Sequence, residues 1–594
     1  MVEIMSERPI RIGNFSGYLG DRFTALDEAL AGDPVDVLIG DYLAEITLAA
    51  LSAGYRRDGS GGYVGYFVDQ LRPHLATIAE RGIKVVANAG GFNPAGLAIA
   101  LRDAAAADGV TVNIAHIEGD NLLAELPDLQ SSGETLSNMD TGAALSDWGC
   151  TPIAANAYLG GWGVAAALAE GADIVVCGRV TDASLTVGPA AWWHGWRRDQ
   201  WDELAGAVLA GHIIECGPHA TGGNFSGFTT IPNMLVPGFP IGEIDADGTA
   251  VITKHGRDGG AVTTDTVTAQ LLYEIQGPRY LNPDVTVHLD DVAVTELEPD
   301  RVLVSGAKGT PAPPTTKVAV FGQVGHQIMN MVYVTAPELD AKVELLTAQF
   351  HRDLPEGVTL DITRIGTAAV DPESQWDATV GLRIMATSRE REPLDRYNLA
   401  GRVGSLYLQS IPGYFHDGAS TLRATPRPVI DYWPAVLTQD KVGHRAVFAG
   451  GHVVDVPAPS ATAAVTAQPV HPEPTPVPLS AQVSRVPLGT VAYARSGDKG
   501  GNSNVGIWAI SQEAWPWLRA ELSTEGLRAL LPELKELDVV RHEFPNLRAV
   551  HFVLRGLLGT GGSANQRIDQ VGKAVGEYIR AKHVLVPSAL VKES

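Results

Sequence analysis

The sequence predicts an α/β protein whose N-terminal part is a mostly parallel, doubly wound sheet. Residues 8 to 225 alternate short apolar runs, each ending in Gly, Asn or Asp, with Ala- and Leu-rich helical stretches. The runs are apolar almost throughout, which is typical of strands covered on both faces. Right-handed crossovers then bring their carboxyl ends to one sheet edge, where ligands bind. The predicted strand runs are 10–21, 35–45, 83–94, 110–120 and 172–182.

The rest of the chain predicts two further regions and a linker. Residues 226–455 contain hairpin-like pieces, such as the turn at Asp247 and Gly248, and helical stretches near 264–275 and 337–352, which predict an α+β region packed on the first domain. Residues 456–487 are rich in Pro and Ala and predict an extended linker. Residues 488–590 predict a small α+β, ferredoxin-like domain with helices near 512–530 and 565–582.

Composition excludes several functional classes. A chain of 594 residues exceeds what one hydrophobic core supports. With 44 basic and 68 acidic residues the net charge is −24, which disfavours nucleic acid and anionic membrane surfaces as partners. The 3 cysteines give no disulfide framework and indicate a reducing compartment. Because neither a secretory signal nor a long apolar span is evident, we expect a cytoplasmic location.

Polar residues follow each predicted strand, and we expect them to line one crevice. The alternative for each residue is a local role as helix N-cap or turn former. In the crevice, an aspartate acts as general base, an arginine pairs with a substrate carboxylate, and asparagines and glycines stabilise an oxyanion. The candidates are Asn14, Ser16, Asp21, Asp41, Asn88, Gly90, Gly91, Asn93, Glu118, Asp120, Arg179, Asp182 and Ser184, with Asp41, Asp120 or Asp182 as the base and Arg179 as the cation.

A second candidate is the segment from His212 to Asn224. His212, Glu215, Cys216 and His219 are zinc-ligand types, but four ligands on so short a segment are sterically awkward, and we predict no metal. The following Gly222, Gly223 and Asn224 favour a catalytic loop with His219 as acid–base or Cys216 as nucleophile. An inert buried thiol is the alternative for Cys216. No GxGxxG motif is present, so no redox cofactor is predicted.

Two Gly-rich loops stand out in the C-terminal domain. The first lies between two predicted strands and has a lysine that can bind a phosphate or a thioester carbonyl. The second is predicted to open a helix whose N-terminus attracts an anion, so that both loops form one anion pocket. A tight hairpin and an ordinary N-cap at Ser563 are the alternatives. The candidate residues are Arg495, Asp498, Lys499, Gly500 and Asn502 in the first loop, and Gly561, Gly562 and Ser563 in the second.

A cluster of tryptophans, Trp192, Trp193, Trp196 and Trp201, predicts a subunit or domain contact.

Taken in order, these motifs resemble the acyclic terpene utilisation protein A (AtuA) family. The resemblance rests on IRIGNFSGYLGD, VDVLIGDYLAE, KVVANAGGFNP, IAHIEGDNL, VVCGRVTDAS, ECGPHATGGNFSG and YEIQGPRYLNPDV. The tail, with ARSGDKGGNSNVG and LRGLLGTGGSANQ, resembles the smaller domain found with this family. The similarity covers residues 8–455 and 488–585.

The resemblance implies breakdown of acyclic terpenes such as citronellol and geraniol, in the company of biotin-dependent acyl-CoA carboxylases and enoyl-CoA hydratases. It implies no catalytic residues. We therefore expect a homo-oligomeric enzyme that acts on a branched or isoprenoid acyl-CoA as hydratase, lyase or hydrolase, with CoA present only as part of the substrate. The alternative is a noncatalytic assembly or binding subunit of an acyl-CoA carboxylase, as the tryptophan cluster and the separate tail domain suggest.

Overall fold

The computed structural model describes residues 8–58, 61–352, 354–395, 399–417, 424–465, 467–476, 482–562 and 564–591. The chain forms two compact units. The first comprises Met1–Gly149, Ile153–Val320 and Tyr432–Ser594, and the second comprises Cys150–Pro152 and Phe321–Asp431. No helix among the described residues combines the length and apolar character that crossing a membrane requires.

The five predicted runs form the parallel part of one large sheet, as the sequence predicts. Their order is β1-β2-β3-β6-β4, and the neighbouring strands in this series all pair in parallel. Their carboxyl ends therefore share one edge of the sheet. The strands in this part of the chain are β1 (Ile10–Ser16), β2 (Val37–Gly40), β3 (Lys84–Ala87), β4 (Ile114–Glu118), β5 (Pro152–Ala157) and β6 (Ile174–Val176).

Helices cover both faces of this sheet, which confirms the doubly wound prediction. Leu26, Phe67 and Leu97 belong to the apolar core on one face, whereas Val164, Leu185 and Leu204 belong to the core on the other. The helices are α1 (Ala25–Ala31), α2 (Glu45–Asp58), α3 (Tyr66–Leu71), α4 (Leu75–Arg81), α5 (Pro94–Ala107), α6 (Leu126–Ser131), α7 (Trp162–Ala169), α8 (Ser184–His194) and α9 (Trp201–Ile214).

Antiparallel strands extend the parallel sheet at its β1 edge, in the order β1-β7-β8-β12-β11, and three others form a small separate sheet in the order β13-β10-β9. The helix predicted near 264–275 is α10 (Thr264–Leu271), which begins at a capping box between Thr263 and Thr266. The strands are β7 (Pro240–Ile244), β8 (Ala250–Lys254), β9 (Arg279–Leu281), β10 (Val285–His288), β11 (Ala293–Glu298), β12 (Arg301–Ser305) and β13 (Lys308–Pro311).

The second unit contains an antiparallel sheet of order β15-β16-β14-β17. The helix predicted near 337–352 is α11 (Leu339–His351), and α12 (Leu399–Ser405) follows it. The long strand β14 continues into this unit from the first. The strands are β14 (Thr315–Thr335), β15 (Val358–Ile365), β16 (Thr379–Ser388), β17 (Tyr414–His416) and β18 (Arg427–Thr438), and β19 (Arg445–Val447) and β20 (Val453–Asp455) then complete the large sheet beside β4.

The C-terminal residues form a ferredoxin-like domain whose antiparallel sheet has the order β22-β23-β25-β24, and β21 pairs with β26. The helix predicted at 512–530 is two helices, because Ser523 caps the second one. The elements are β21 (Val483–Pro487), β22 (Ala492–Lys499), β23 (Asn502–Ala509), α13 (Trp515–Glu521), α14 (Thr524–Leu530), β24 (Val539–Phe544), β25 (Ala549–Leu554), α15 (Val575–Arg580) and β26 (His583–Pro587).

The helix predicted near 565–582 is wrong over its first part, because α15 begins only at Val575. Gly561 has φ +115° and Gly572 has φ +64°, and neither value fits a right-handed helix. Between them, Asn565 accepts a hydrogen bond from the backbone N–H of Arg567, which makes a local turn. The second Gly-rich loop therefore does not open a helix.

The ferredoxin-like domain is docked within the first unit. The indole N–H of Trp508 donates to the carboxylate of Asp265 (2.9 Å), and its ring stacks on Phe225 at 6.3 Å between ring centroids. Trp508 is completely buried. This contact anchors β23 of the ferredoxin-like domain against α10 and Phe225.

Candidate active site

The strand-end crevice brings together four of the predicted polar residues. Asn88 follows β3 and donates from Nδ2 to Asp41 Oδ1 (2.6 Å), directly after β2. Arg179 follows β6 and donates from Nη1 to Asp182 Oδ1 (2.6 Å) and to the carbonyl oxygen of Leu43 (2.9 Å). Asp41, Asn88 and Arg179 are buried. The convergence arises because parallel strands end at one edge.

Arg179 is the central charge of the crevice. Its guanidinium carbon lies 4.2 Å from the ring centroid of Tyr158. Burial opposes its charge, but the carboxylates of Asp182, Glu45 and Asp41 outweigh that effect and raise the pKa of Arg179. The guanidinium therefore remains charged and is the main counter-charge for these acids.

Asp41 and Asp120 serve mainly to position their neighbours. Burial, together with the charge of Asp182, raises the pKa of Asp41 well above its ordinary value, and burial raises the pKa of Asp120. Asp120 accepts hydrogen bonds from the backbone N–H of Arg179 (2.8 Å) and from Asn156 Nδ2 (2.7 Å). Neither carboxyl lies in the cavity wall, so Asp182 is the crevice acid that can meet a ligand.

A cavity of about 360 Å³ opens beside Asp182. Its lining combines apolar side chains with polar and charged ones. Its lining joins the strand ends to the middle region and to the ferredoxin-like domain. Polar lining residues include Asp182, Glu274, Arg279, Lys317, Lys499, Tyr158 and Tyr280, and apolar ones are Met139, Leu281, Pro283, Pro313, Val436 and Val465.

Two lysine–glutamate ion pairs lie at the cavity. Lys317 Nζ is 3.1 Å from Glu45 Oε1, and Lys499 Nζ is 2.8 Å from Glu274 Oε2. The side chains remain 21% and 21% accessible in the first pair and 26% and 18% in the second, so neither pair is sealed from solvent or a ligand. Burial raises the pKa of Glu45, but Lys317 and Lys499 outweigh burial, and the net shift is downward.

Asp498, beside Lys499 at the end of β22, is a carboxyl whose pKa is shifted close to neutral pH. Burial, reinforced by the charges of Glu274 and Glu45, raises its pKa to about 7. A carboxyl that titrates near neutral pH can both give and take a proton there. The ferredoxin-like domain thus brings an acid–base group to the edge of the site.

We expect the protein to lose stability as the pH rises from about 4 to about 7, and Asp498→Asn to reduce that loss. In this window the unfolded chain has released the Asp498 proton while the folded chain retains it. Each pH unit therefore removes up to about 1.4 kcal/mol for such a group. Urea unfolding at pH 5 and pH 8 measures the difference. Asp340→Asn, at a side chain that is 95% exposed, is the control, and equal pH slopes in wild type and D498N would contradict this pKa.

The His212–Asn224 segment divides into two parts. His212 Nδ1 lies 3.3 Å from Glu215 Oε1, and its ring packs on Tyr280. Burial raises the pKa of Glu215 to about 6, against the opposing charge of His212. His219 instead contacts Arg495 and Asn224. The four candidate zinc ligands therefore do not converge, and in the described part of the chain no three His, Cys, Asp or Glu side chains are arranged to hold a metal.

Neither reactive side chain of this loop is in an activated state. Burial and the charges of Glu215 and Glu274 raise the pKa of the Cys216 thiol, so it lacks the thiolate that a nucleophile needs. Burial and the charge of Arg495 lower the pKa of His219 well below its ordinary value. His219 is neutral and can accept a proton only weakly.

Several sequence candidates have local roles instead. Asn93 caps α5 by accepting from the N–H of Gly96 (2.8 Å), and it donates to the carbonyl of Gly61. Gly90 lies so close to the Cys177 carbonyl that a Cβ would be 2.5 Å from the oxygen. Three further glycines and Asn224 have a positive φ, which accounts for the residue type at these positions. They are Gly91 (φ 52°), Gly222 (φ 114°), Asn224 (φ 55°) and Gly500 (φ 62°).

The remaining candidates support the crevice and the loops. Asn14 Nδ2 donates to the Glu215 carbonyl (2.9 Å), and the Ser16 hydroxyl donates to the Asp41 carbonyl (3.3 Å). Gly223 closes its turn through the Pro218 carbonyl. In the tail domain, Asn502 Nδ2 donates to Asp140 (2.8 Å).

The two Gly-rich loops lie side by side, because a Cβ on Gly501 would overlap the carbonyl oxygen of Gly559. Gly561 and Gly562 are buried beside this contact. Ser563 lies outside the described residues.

Sequence reasoning missed five residues at the cavity: Glu45, Tyr158, Glu274, Tyr280 and Lys317. Glu45 ends the same run as Asp41, and Glu274 and Tyr280 lie in the segment YEIQGPRYLNPDV, so their positions gave a usable signal. Lys317 occurs near the start of a long strand with no motif around it. The backbone N–H of Tyr158 donates to the carbonyl oxygen of Lys317 (2.9 Å), and only this tertiary contact shows why Lys317 lies beside Tyr158 at the cavity.

The fold and site define an α/β protein with a cavity whose lining includes Lys499 of a ferredoxin-like domain. A model of the family described as acyclic terpene utilisation family protein AtuA matches residues 10–448, and a model of the AtuA ferredoxin-like domain matches residues 486–585. The chain belongs to this family, which confirms the resemblance found in the sequence.

Other comparisons add little. No curated protein matches the chain. Among solved structures, homoserine dehydrogenase from S. aureus aligns at 12% identity over 69% of this chain and 84% of that chain, with a TM-score of 0.12. A TM-score this low supports no conclusion about fold or function.

Proposed function

We propose that this protein is a cytoplasmic enzyme of acyclic terpene, isoprenoid or branched-acid catabolism that acts on an acyl-CoA thioester. The reaction is a hydratase, lyase or hydrolase step driven by proton transfer, without a redox cofactor. The observation that carries the proposal is the cavity, because its lining combines apolar side chains with lysines, carboxylates and tyrosines. Ligand sites typically combine apolar walls with a few convergent polar groups.

The apolar side chains of the lining suit a branched hydrocarbon chain. Leu281, Val436 and Val465 offer no hydrogen-bonding side chains, and the volume of about 360 Å³ lies within the range of small-molecule sites. Burial of each methylene contributes about 0.8 kcal/mol, so a C10 isoprenoid chain gains much of its affinity here.

The lysines and the aspartate in the cavity lining suit a thioester carbonyl. In the proposed hydration of an α,β-unsaturated thioester, Asp182 takes a proton from water as the oxygen adds to the β-carbon. The double bond between the α- and β-carbons breaks, and its electron pair moves through the α-carbon onto the thioester oxygen. Lys317 or Lys499 stabilises that negative charge. The enolate then collapses, and a proton from the protonated acid returns to the α-carbon, so that one water is added overall.

The assembly-subunit alternative lacks support from the tryptophan cluster. Trp196 is buried and donates to the Ala246 carbonyl (2.9 Å), and the ring of Trp193 is covered by Arg8 at 4.8 Å. The ferredoxin-like domain is docked against the site and supplies Lys499 to it. These contacts favour an enzyme whose tail domain completes its own active site.

A panel of acyl-CoA thioesters tests this proposal. The purified protein is incubated with a C10 isoprenoid acyl-CoA, its straight-chain counterpart and acetyl-CoA, and products are followed by mass spectrometry and by thiol release. We expect turnover of the isoprenoid thioester, seen as a gain of water, a cleavage product or free CoA. Absence of turnover with every thioester, from a protein that is folded by circular dichroism, would refute the proposed activity.

A further inference from the structure

A second charged cluster surrounds the ring of Tyr273, and Glu274 links it to the cavity because this carboxylate interacts with both Lys499 and Lys573. The guanidinium carbon of Arg495 is 4.3 Å from the ring centroid, and Lys573 Nζ is 4.9 Å from it. Lys573 also contacts the Tyr273 hydroxyl. His219 packs its edge against the same ring at 5.9 Å. Two cations therefore flank one buried tyrosine.

The two cations differ in their counter-charges: the carboxylates of Glu274 and Asp498 attract Lys573, whereas no described carboxylate pairs with Arg495. Arg495 is only 5% exposed, and its one side-chain partner is the neutral ring of His219, to whose Nδ1 it donates from Nη2 (3.0 Å). Arg179, by contrast, is similarly buried and pairs with Asp182. A buried charge without a partner is costly, so it indicates a missing anion.

Besides burial, the lowered pKa of His219 reflects the positive charge of this cluster. The charges of Arg495 and Lys573, after burial, are the main reasons why the pKa of His219 is lowered. Lys573 is exposed and Arg495 is buried, so a ligand can enter from the Lys573 side. The side chain of Asn224, which is hydrogen-bonded to His219 (2.6 Å), is exposed at the same loop.

We propose that Arg495 and Lys573 form a phosphate-binding subsite over the Tyr273 ring, occupied by a phosphate group of the substrate. A phosphate carries about −1.5 to −2 charges at pH 7, which suits a buried arginine without a described counter-ion beside an exposed lysine better than a single carboxylate does. Arginine also binds phosphate oxygens through two parallel N–H groups, and Nε and Nη1 of Arg495 donate to no described residue.

The strand geometry connects this subsite with the cavity. Arg495, Gly497 and Lys499 alternate along β22 and so share one face. Tyr273 lies against Gly497, where a Cβ would overlap the ring. Arg495 and Lys499 are four residues apart on this strand, or roughly 13 Å. In an acyl-CoA, the pantetheine arm separates the phosphates from the thioester. The identity of the phosphate carrier as coenzyme A rests on the proposed function, whereas the phosphate subsite does not.

Inorganic phosphate tests the subsite without any thioester. We expect phosphate to raise the thermal unfolding midpoint of the wild-type protein by about 1–3 °C over sodium chloride of equal ionic strength. Arg495→Gln should abolish this shift, and Lys573→Gln, at an exposed position, should reduce it. Arg555→Gln, at an arginine whose side chain is 59% exposed, is the matched control and should keep it. The proposal would be overturned if phosphate did not raise the unfolding midpoint of the wild type. It would also be overturned if phosphate raised the midpoints of R495Q and K573Q as much as that of the wild type.

Two fragments of the proposed substrate, coenzyme A and pantetheine, identify which molecule carries the phosphate when each is tested for its effect on the unfolding midpoint. We expect coenzyme A to stabilise the wild type but not R495Q, and pantetheine, which has no phosphate, to stabilise neither. Equal stabilisation by pantetheine and coenzyme A would exclude coenzyme A phosphate as the occupant. A phosphate shift in a protein that turns over no acyl-CoA would separate failure of the proposed activity from failure of the subsite.

Discussion

Arg179→Ala should lower the free energy of unfolding by about 3–5 kcal/mol, which is the usual cost of removing one partner from a buried charge cluster. The guanidinium is 2% exposed and neutralises Asp182 while also facing Glu45 and Asp41. Without it, these acids must either remain buried as unpaired charges or take up protons. Urea unfolding followed by tryptophan fluorescence measures the loss.

Arg197→Ala is the matched control for this experiment. Arg197 pairs with Asp199 at 3.2 Å, but the two side chains are 73% and 64% exposed. Exposed pairs contribute about 0–1 kcal/mol, so this variant should unfold almost like the wild type. If R179A were as stable as R197A, Arg179 would not be the counter-charge that organises the crevice.

Asp182→Asn should lower the turnover of the accepted acyl-CoA by about 10²–10⁴-fold, the range expected for loss of a general acid–base group. Asp182 is the strand-end acid in the cavity wall, and its side chain is 19% accessible. The substituted amide keeps an oxygen that can accept from Arg179, so the local geometry is preserved while the base is lost. Steady-state kinetics on the substrate found in the panel measure this effect.

Asp199→Asn, an exposed change of the same type, should retain wild-type turnover. The unfolding midpoint of D182N must also be recorded, because a protein that remains folded isolates the chemical role. Wild-type kcat in D182N would remove Asp182 from the mechanism, whereas a rise in KM alone would assign it to substrate binding.

The parallel sheet and its active edge were predictable from sequence because each apolar run ends in a polar residue and each helix follows at once. Asp41, Asn88, Arg179 and Asp182 converge for this topological reason. Asn93 could not be separated from them by pattern alone, since Asn before Pro94 is equally the signature of an N-cap, which is its role in the structure.

The rest of the site depends on tertiary contacts that no local pattern encodes. Lys317 and Glu45 are 272 residues apart, and Lys499 and Glu274 are 225 apart. A lysine in a strand pattern, such as Lys317, normally indicates a solvent-facing position. The Gly-rich loop did indicate Lys499 as a binding residue, but only the docking of the ferredoxin-like domain shows that its partner is Glu274. The false helix start near 565 has a local cause, because Gly561 and the Asn565 turn interrupt an otherwise helical composition.

The central claim is that strand ends, middle region and ferredoxin-like domain enclose one binding site for an isoprenoid acyl-CoA. A structure determined with a C10 isoprenoid acyl-CoA bound tests it most directly. We expect the hydrocarbon chain to lie against Leu281, Val436 and Val465, with the thioester oxygen within hydrogen-bonding distance of Lys317 or Lys499. A ligand bound elsewhere, with the cavity beside Asp182 filled only by water, would contradict it.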